Sequence, residues 1–241
     1  MNRNVLKLFL LFFMTLDHIA FRFLSIYTVP YQIMRFLGRS VAITMCYLLV
    51  EGFEHTSNRS KYLVRLLIFA VLAYFPYILV ADPSLNDPLW FLDFNMLFNL
   101  ANCFVLLMVL EKLKADNNLQ IFLVIFASCI IGYNCDWLIF APLWVANFYL
   151  NKGKVQDCCT LLICGMSMLY TAIYSYSRMA DISTVLQTHI FCIGTLLFFL
   201  YRKIYNHQPG RHKFKYLFYA YYPLHLTIIV VVYYLIALHC I

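Results

Sequence analysis

The amino-acid sequence predicts an all-α, polytopic membrane protein: a transmembrane helical bundle of about nine spans, with about eight to ten as the range, forming one integral domain over residues 1–241. Apolar residues make up 63% of the chain and charged residues 12%, and a soluble domain normally carries about twice that charged fraction. Aromatic residues reach 18%, which is typical of proteins whose rings face lipid and headgroups. One soluble core cannot bury this much apolar surface, whereas a bilayer can.

Apolar runs of about 20 residues, the length that crosses a bilayer as a helix, recur along the whole chain. The first run follows a basic start, but no small-x-small cleavage site comes after it, so we interpret it as a retained span rather than a cleaved signal. The fifth and sixth runs are short and flank the polar segment 133–136, so a re-entrant pair is the alternative there. The candidate spans are 5–24, 34–53, 62–80, 95–113, 119–132, 137–150, 158–176, 183–201 and 216–238.

The basic residues orient the predicted bundle. With the N-terminus in the cytoplasm, fourteen of the eighteen Lys and Arg residues lie on the inner side, which is a strong positive-inside bias. The predicted outer loop 81–93 is acidic, with Asp82, Asp87 and Asp93. The sequence therefore predicts a cytoplasmic N-terminus and, with nine spans, an external C-terminus.

The nine cysteines do not indicate a metal centre or a disulfide framework. Most of them lie inside apolar runs, and the chain contains no CxxC pair. Cysteine is a small, polarizable residue that packs well among apolar side chains. We favour this packing interpretation over ligation or disulfide formation, and we expect no bound metal.

Asp17 and His18 place two ionisable groups in the middle of the first predicted span. About 12 residues into a helix with a rise of 1.5 Å per residue, they lie near or just beyond the membrane midplane. Charges at that depth are costly and usually face a protein interior or a watery cavity. Adjacent helical residues point about 100° apart, so Asp17 can meet a neighbouring helix while His18 stays available for proton transfer. The pair is predicted to belong to a catalytic site in the outer half of the membrane, with the bracing of helices as the alternative.

Arg35 and Arg39 share one face at the start of the second predicted span, four residues apart. A short outer loop joins the first two spans, so we expect them to be antiparallel neighbours. Asp17 facing Arg39, or Arg35, would neutralise both charges, and Arg39 is the preferred partner. Anchoring at the membrane surface is the alternative for both arginines.

Two later spans also carry polar faces. Asn95 and Asn99 lie on one face of the fourth span, and Tyr222 and His225 share a face of the last span beside Pro223, which is expected to kink the helix. Hydrogen bonding between helices is the alternative for the asparagines. For His225 the alternative is a hydrogen bond to the backbone at the kink.

The order of these motifs resembles the TraX family. The resemblance spans nearly the whole chain and is densest over residues 16–65 and 218–227. The sequence departs from the family pattern after Gly38-Arg39, where residues 40–44 contain no proline. The motifs that carry the resemblance are Leu16-Asp17-His18-Ile19, Leu37-Gly38-Arg39-Ser40, Glu51-Gly52-Phe53, His55-Thr56, 62–65, Asn95-Met96-Leu97-Phe98 and Tyr221-Tyr222-Pro223-Leu224-His225-Leu226.

The resemblance implies an acyltransferase-like fold in the bacterial inner membrane. TraX-like proteins are associated with conjugative plasmids and with N-terminal acetylation of pilin subunits, and they look related to a wider superfamily of membrane acyltransferases that use acyl-CoA. The resemblance thus implies acetyl-CoA as donor, a pilin or other envelope molecule as acceptor, and no nucleic-acid partner. By the same resemblance, His18 and Arg39 occupy the positions of that superfamily's histidine and arginine.

These residues suggest a division of roles. His18 would be the general base that takes a proton from the acceptor. Asp17 would tune the pocket and pair with Arg39. Arg39, with Asn95 or Asn99, would stabilise the oxyanion. The remaining predicted binding residues are Arg35, Tyr222 and His225.

Three other functions stay open at this point. The first is a membrane O-acetyltransferase that acts on an envelope glycan. The second is a proton-coupled transporter, because intramembrane Asp, His and Arg also mark proton pathways, although the chain shows no internal repeat and no matched pair of broken helices. The third is an assembly scaffold without catalytic activity.

Overall fold

The computed structural model describes residues 1–86, 88–113, 117–179, 185, 189–208 and 215–239, except for the side chains of 178, 179 and 215–217. Within these ranges the chain is helical and forms no β-strand, apart from an isolated bridge between Phe94 and Cys135. The α-helices are α1 (Arg3–Phe23), α2 (Val29–His55), α3 (Arg59–Leu72), α4 (Tyr74–Ala81), α5 (Met96–Lys112), α6 (Asn118–Gly132), α7 (Phe140–Leu150), α8 (Gly153–Met179), α9 (Leu197–Ile204) and α10 (Lys215–His239), and Trp90–Leu92 and Ile190–Leu196 are 3₁₀ helices.

Several of these helices can cross a membrane, which confirms the predicted class of fold. In the part of the chain that the structure describes, four are long and apolar enough, namely α1, α2, Gly153–Ser177 of α8 and Phe218–His239 of α10. The pair α3 and α4 bends by 45° and counts as a fifth if it is one broken span. The prediction of about nine spans is not confirmed.

Helix length explains the difference. α5, α6 and α7 contain 17, 15 and 11 residues, so at 1.5 Å per residue they extend about 25, 22 and 16 Å, which is short of a hydrocarbon core about 30 Å thick. The predicted span 183–201 lies partly outside the described residues. Most of its described part is the 3₁₀ helix Ile190–Leu196 and the start of α9, which has 8 residues.

The chain forms two compact units. The first comprises Met1–Val41, Leu79–Pro83 and Cys164–Ile241, and the second comprises Ala42–Ile78 and Ser84–Ile163. Each unit therefore joins segments that are distant in sequence. The prediction of one integral membrane domain stays a prediction.

In the first unit, Gly38 allows α1 and α2 to pack closely. A Cβ atom at Gly38 would lie 2.3 Å from the Cβ of Asp17, a distance that two side chains cannot adopt. Asp17 thus rests directly on the backbone of α2. α1 also packs along α10, so the first helix brings residues of α2 and α10 to the same side-chain neighbourhood.

In the second unit, α5 is the central helix. Its buried residues include Asn99, Phe104 and Leu107, and it packs against α3, α6 and α7. The loop before α7 is fixed to the start of α5, because Phe94 N–H donates to Asn134 O at 2.9 Å and Asp136 N–H donates to Phe94 O at 2.7 Å. α5 is thereby held at its first turn as well as along its length.

Most of the described cysteines are buried packing residues, in agreement with the prediction. Cys46, Cys103, Cys164 and Cys192 are buried, and the eight described cysteines are free thiols. Among the described residues, no group of three or more His, Cys, Asp or Glu side chains could hold a metal ion.

Candidate functional site at a histidine pair

His18 of α1 and His225 of α10 face each other in the first unit. Nε2 of His225 lies 3.3 Å from Nδ1 of His18, and the two rings meet edge to face, with centroids 5.1 Å apart and an interplanar angle of 61°. His225 is 4% exposed. Two residues separated by more than 200 positions in sequence therefore form one imidazole pair inside the helical packing.

Backbone hydrogen bonds define the tautomers of this pair. His225 Nδ1–H donates to Tyr221 O at 3.0 Å, and His18 Nδ1–H donates to Met14 O at 2.8 Å. A carbonyl oxygen can only accept, so both Nδ1 atoms carry the proton in the neutral rings. The lone pair of His225 then lies on Nε2 and faces His18, while the lone pair of His18 lies on its own Nε2. That atom has no hydrogen-bond partner among the described residues.

Two tyrosines support the histidine pair. The ring of Tyr221 stacks on His225, with centroids 5.4 Å apart and an angle of 11°, and its hydroxyl lies 2.7 Å from Oγ1 of Thr15 on α1. The buried ring of Tyr222 lies 5.5 Å from His225 on another side. The sequence placed Tyr222 and His225 in the site, and the structure brings His225 next to His18, with Tyr222 against His225.

The carboxylate of Asp17 pairs with Arg35. Arg35 Nη1 donates to Asp17 Oδ2 at 2.6 Å, and the two side chains are 10% and 17% exposed. The preferred pairing of Asp17 with Arg39 is therefore wrong, whereas the Arg35 alternative is confirmed. Asp17 sits on Gly38; Arg35 lies three residues before Gly38 on the same helical face, while Arg39 follows it about 100° around the helix.

Arg35 and Arg39 both contact the ring of Phe191. Their guanidinium carbons lie 5.2 and 5.1 Å from its centroid, within the range of cation–π attraction. Phe191 belongs to the 3₁₀ helix Ile190–Leu196 and is 3% exposed. The two cations that the sequence predicted thus share an aromatic support that sequence analysis missed.

Asn95 and Asn99 belong to the second unit, where backbone groups engage their side chains. Asn95 Oδ1 accepts from Leu97 N–H at 3.0 Å and caps α5, while its Nδ2 donates to Ala70 O at 2.8 Å. Asn99 Nδ2 donates to Asp136 O and Leu138 O at 2.9 and 3.0 Å. These hydrogen bonds hold helices and a loop together, as in the structural alternative. The predicted oxyanion role of the asparagines stays a prediction.

An apolar cavity of about 430 Å³ lies between α1 and α10. On α1 it begins at Ile19, directly after His18, and on α10 it begins one turn beyond His225. Its walls are aliphatic and aromatic throughout, and are formed by Ile19, Phe23, Ile228, Ile229, Val232 and Ile236.

The fold and the site together define a helical membrane protein with a buried ionisable centre. A histidine pair and a carboxylate–arginine ion pair meet on its first helix. The family described as TraX protein matches residues 2–233, and the chain belongs to this family, as the motif order predicted.

A relative in Dichelobacter nodosus is described as probable fimbrial assembly protein FimC, serogroup H1. It is 34% identical over 242 residues, which cover 95% of this chain and 97% of the relative. No solved structure matches the chain.

Proposed function

We propose that this protein is an integral membrane acyltransferase that moves an acetyl group from acetyl-CoA to the N-terminal amine of a pilus subunit. Membership of the TraX family and the likeness to a fimbrial assembly protein support the connection with pili. The observation that carries the chemistry is His18, whose Nδ1 is fixed by a backbone carbonyl and whose Nε2 is left as a proton acceptor. A positioned imidazole of this kind suits general-base catalysis.

The reaction would proceed by direct acyl transfer. The amine nitrogen attacks the thioester carbonyl and forms a carbon–nitrogen bond, while His18 Nε2 takes a proton from that nitrogen. The tetrahedral intermediate then collapses as the carbon–sulfur bond breaks. The proton held by His18 passes to the departing thiolate, so the products are an amide and a free thiol, and the base returns to its starting state.

Arg39 is the residue that we assign to the oxyanion of this intermediate. The resemblance to membrane acyltransferases implies this residue, and its guanidinium carbon lies 5.1 Å from the centroid of the buried ring of Phe191. A fixed cation next to a developing oxyanion is among the strongest contributions to acyl transfer.

The membrane arrangement that fits this reaction is the one predicted from charge. We place the protein in a bacterial inner membrane, which it crosses about nine times, with its N-terminus on the cytoplasmic side. The basic inner segments would then face the cytosol, where they attract the phosphates of acetyl-CoA. His18 lies near the midplane, so the acyl group would have to reach into the helical bundle from the cytosolic side.

Intact-mass spectrometry of the pilus subunit tests the proposal. Cells that carry the wild-type protein should yield subunits heavier by one acetyl group than cells that lack it, and His18→Ala should yield the unmodified mass. The variant should still insert in the membrane, as judged by its amount in washed membranes. Identical subunit masses in all three strains would exclude pilin acetylation, and an acetyl group found instead on an envelope glycan would identify a glycan acceptor.

A further inference from the structure

We infer that His225 is a positioning residue for the base, and that the two imidazoles work as one proton-handling unit. This inference rests on the proposed function, and it assigns to His225 a role beyond lining a pocket. It is based on the direct contact of His225 Nε2 with His18 Nδ1 at 3.3 Å. His225 reaches this position from a helix near the other end of the chain.

His225 selects the tautomer of His18 that can act as a base. Nδ1 of His225 donates to Tyr221 O, so its Nε2 can only accept. His18 Nδ1 therefore faces two acceptors, His225 Nε2 and Met14 O. Both acceptors favour a proton on Nδ1, and the remaining nitrogen, Nε2, keeps the lone pair that the reaction needs.

The contact becomes stronger during the reaction. When Nε2 of His18 takes the proton of the amine, the ring becomes an imidazolium, and its Nδ1–H becomes a charged donor to His225. Hydrogen bonds with one ionised partner are shorter and about twice as strong as neutral ones. An interaction that gains strength only as the proton moves lowers the barrier without tightening substrate binding.

The surroundings hold His225 in this geometry. Tyr221 stacks on its ring and is tied to α1 through the hydroxyl of Thr15. His225 is 4% exposed, and among the described residues its Nε2 has no hydrogen-bond partner other than His18. A buried nitrogen that lost this partner would be left unsatisfied, which destabilises the packing around it. The protein therefore has a defined place for both rings.

The test is acetyl transfer by the purified, detergent-solubilised protein, from acetyl-CoA to a peptide with the N-terminal sequence of the pilus subunit. His225→Ala should lower kcat about 100-fold, the low end of what a general base contributes, while both KM values stay unchanged. His225→Gln keeps an acceptor close to the position of Nε2 and should retain more activity. Added imidazole should restore part of the rate of His225→Ala, which a purely structural role would not allow.

His239→Ala is the matched control. His239 lies on the same helix and donates from Nδ1 to Leu235 O at 2.8 Å, the same local bond that His225 makes to Tyr221 O, but it is exposed. Its replacement should leave kcat unchanged. If His225→Ala does not fold, the assay of His225→Gln decides between the two roles. A lower kcat with unchanged KM values would support the inference, and activity lost only through a higher KM would overturn it.

Two other results separate the inference from the function on which it rests. Wild-type transfer together with an undiminished kcat in His225→Ala would overturn the positioning role and leave the acyltransferase proposal standing. Absence of transfer by the wild-type protein from acetyl-CoA to both peptide and glycan acceptors would overturn the function and the inference together.

Discussion

At the scale of single residues, the site depends on which partner each charged group has. The ion pair of Asp17 and Arg35 leaves His18 with a backbone carbonyl and a second imidazole, and not a carboxylate, as its contacts on Nδ1. This differs from a triad in which a carboxylate orients the base. The sequence alone points to Asp17, His18, Arg35, Arg39 and His225, because ionisable residues are rare at membrane depth.

The sequence could not predict how these residues pair. Arg35 and Arg39 are one helical turn apart, so a small shift of α2 along α1 decides which of them meets Asp17. Phe191 gave no signal either, since it is one of 22 phenylalanines. Its importance comes from its position under both guanidinium groups, which depends on a 3₁₀ segment that no apolar pattern indicates.

Breaking the buried ion pair should destabilise the protein. Asp17→Asn leaves the charge of Arg35 buried without its counter-charge, and such a loss costs about 3–5 kcal/mol. The double variant Asp17→Leu with Arg35→Met removes both charges and should recover most of that loss. Thermal unfolding in detergent, followed by circular dichroism, measures both effects. If the double variant is as unstable as Asp17→Asn, the lost stability does not come from a buried charge without its counter-charge.

At the scale of helices, the sequence predicted where most elements lie, but not how long they are. Each of the nine apolar runs corresponds to helix in the described residues, and α1, α2, α8 and α10 are long enough to cross a membrane. Apolar composition identifies a run, whereas helix length depends on caps and bends. α3 ends at Leu72 with the cap at Ala73, and α4 then leaves at 45°.

The close packing of α1 on α2 makes Gly38 sensitive to substitution. In Gly38→Ala the added Cβ would lie 2.3 Å from Asp17 Cβ, so the two helices must separate, at a cost of about 1–3 kcal/mol. Because Asp17 adjoins His18, acetyl transfer should fall as well. Gly165→Ala on α8 is the control, since a Cβ there meets no atom within 4 Å, and alanine should improve helix stability by up to about 1 kcal/mol. Equal melting temperatures for the two variants would contradict the close approach.

At the scale of the whole molecule, two kinds of polar group have different roles. Asn95 and Asn99 hold parts of the second unit together through hydrogen bonds to the backbone. His18, His225, Arg35 and Arg39 gather in the first unit. From sequence, both sets looked alike, because each forms a polar face on an apolar helix. The difference is in their partners: backbone carbonyls accept from the amide NH2 groups, whereas an imidazole bound through Nδ1 still presents a second nitrogen.

The number and direction of the spans can be measured with topology reporters. A periplasm-active phosphatase inserted after residue 86 should be active, because the acidic loop 81–93 is predicted to face outward. A green fluorescent protein inserted after residue 208 should fluoresce, because that segment is basic and predicted to be cytoplasmic. Fused after residue 239, the phosphatase should be active if the chain crosses the membrane an odd number of times, as nine spans require.

A green fluorescent protein fused at the same position, residue 239, provides the opposite result. Fluorescence there, without phosphatase activity, would show an even number of crossings. Every basic segment after the missing or additional crossing would then lie on the opposite side of the membrane. Those segments could not attract acetyl-CoA from the cytosol, and the donor would have to bind to the remaining inner segments.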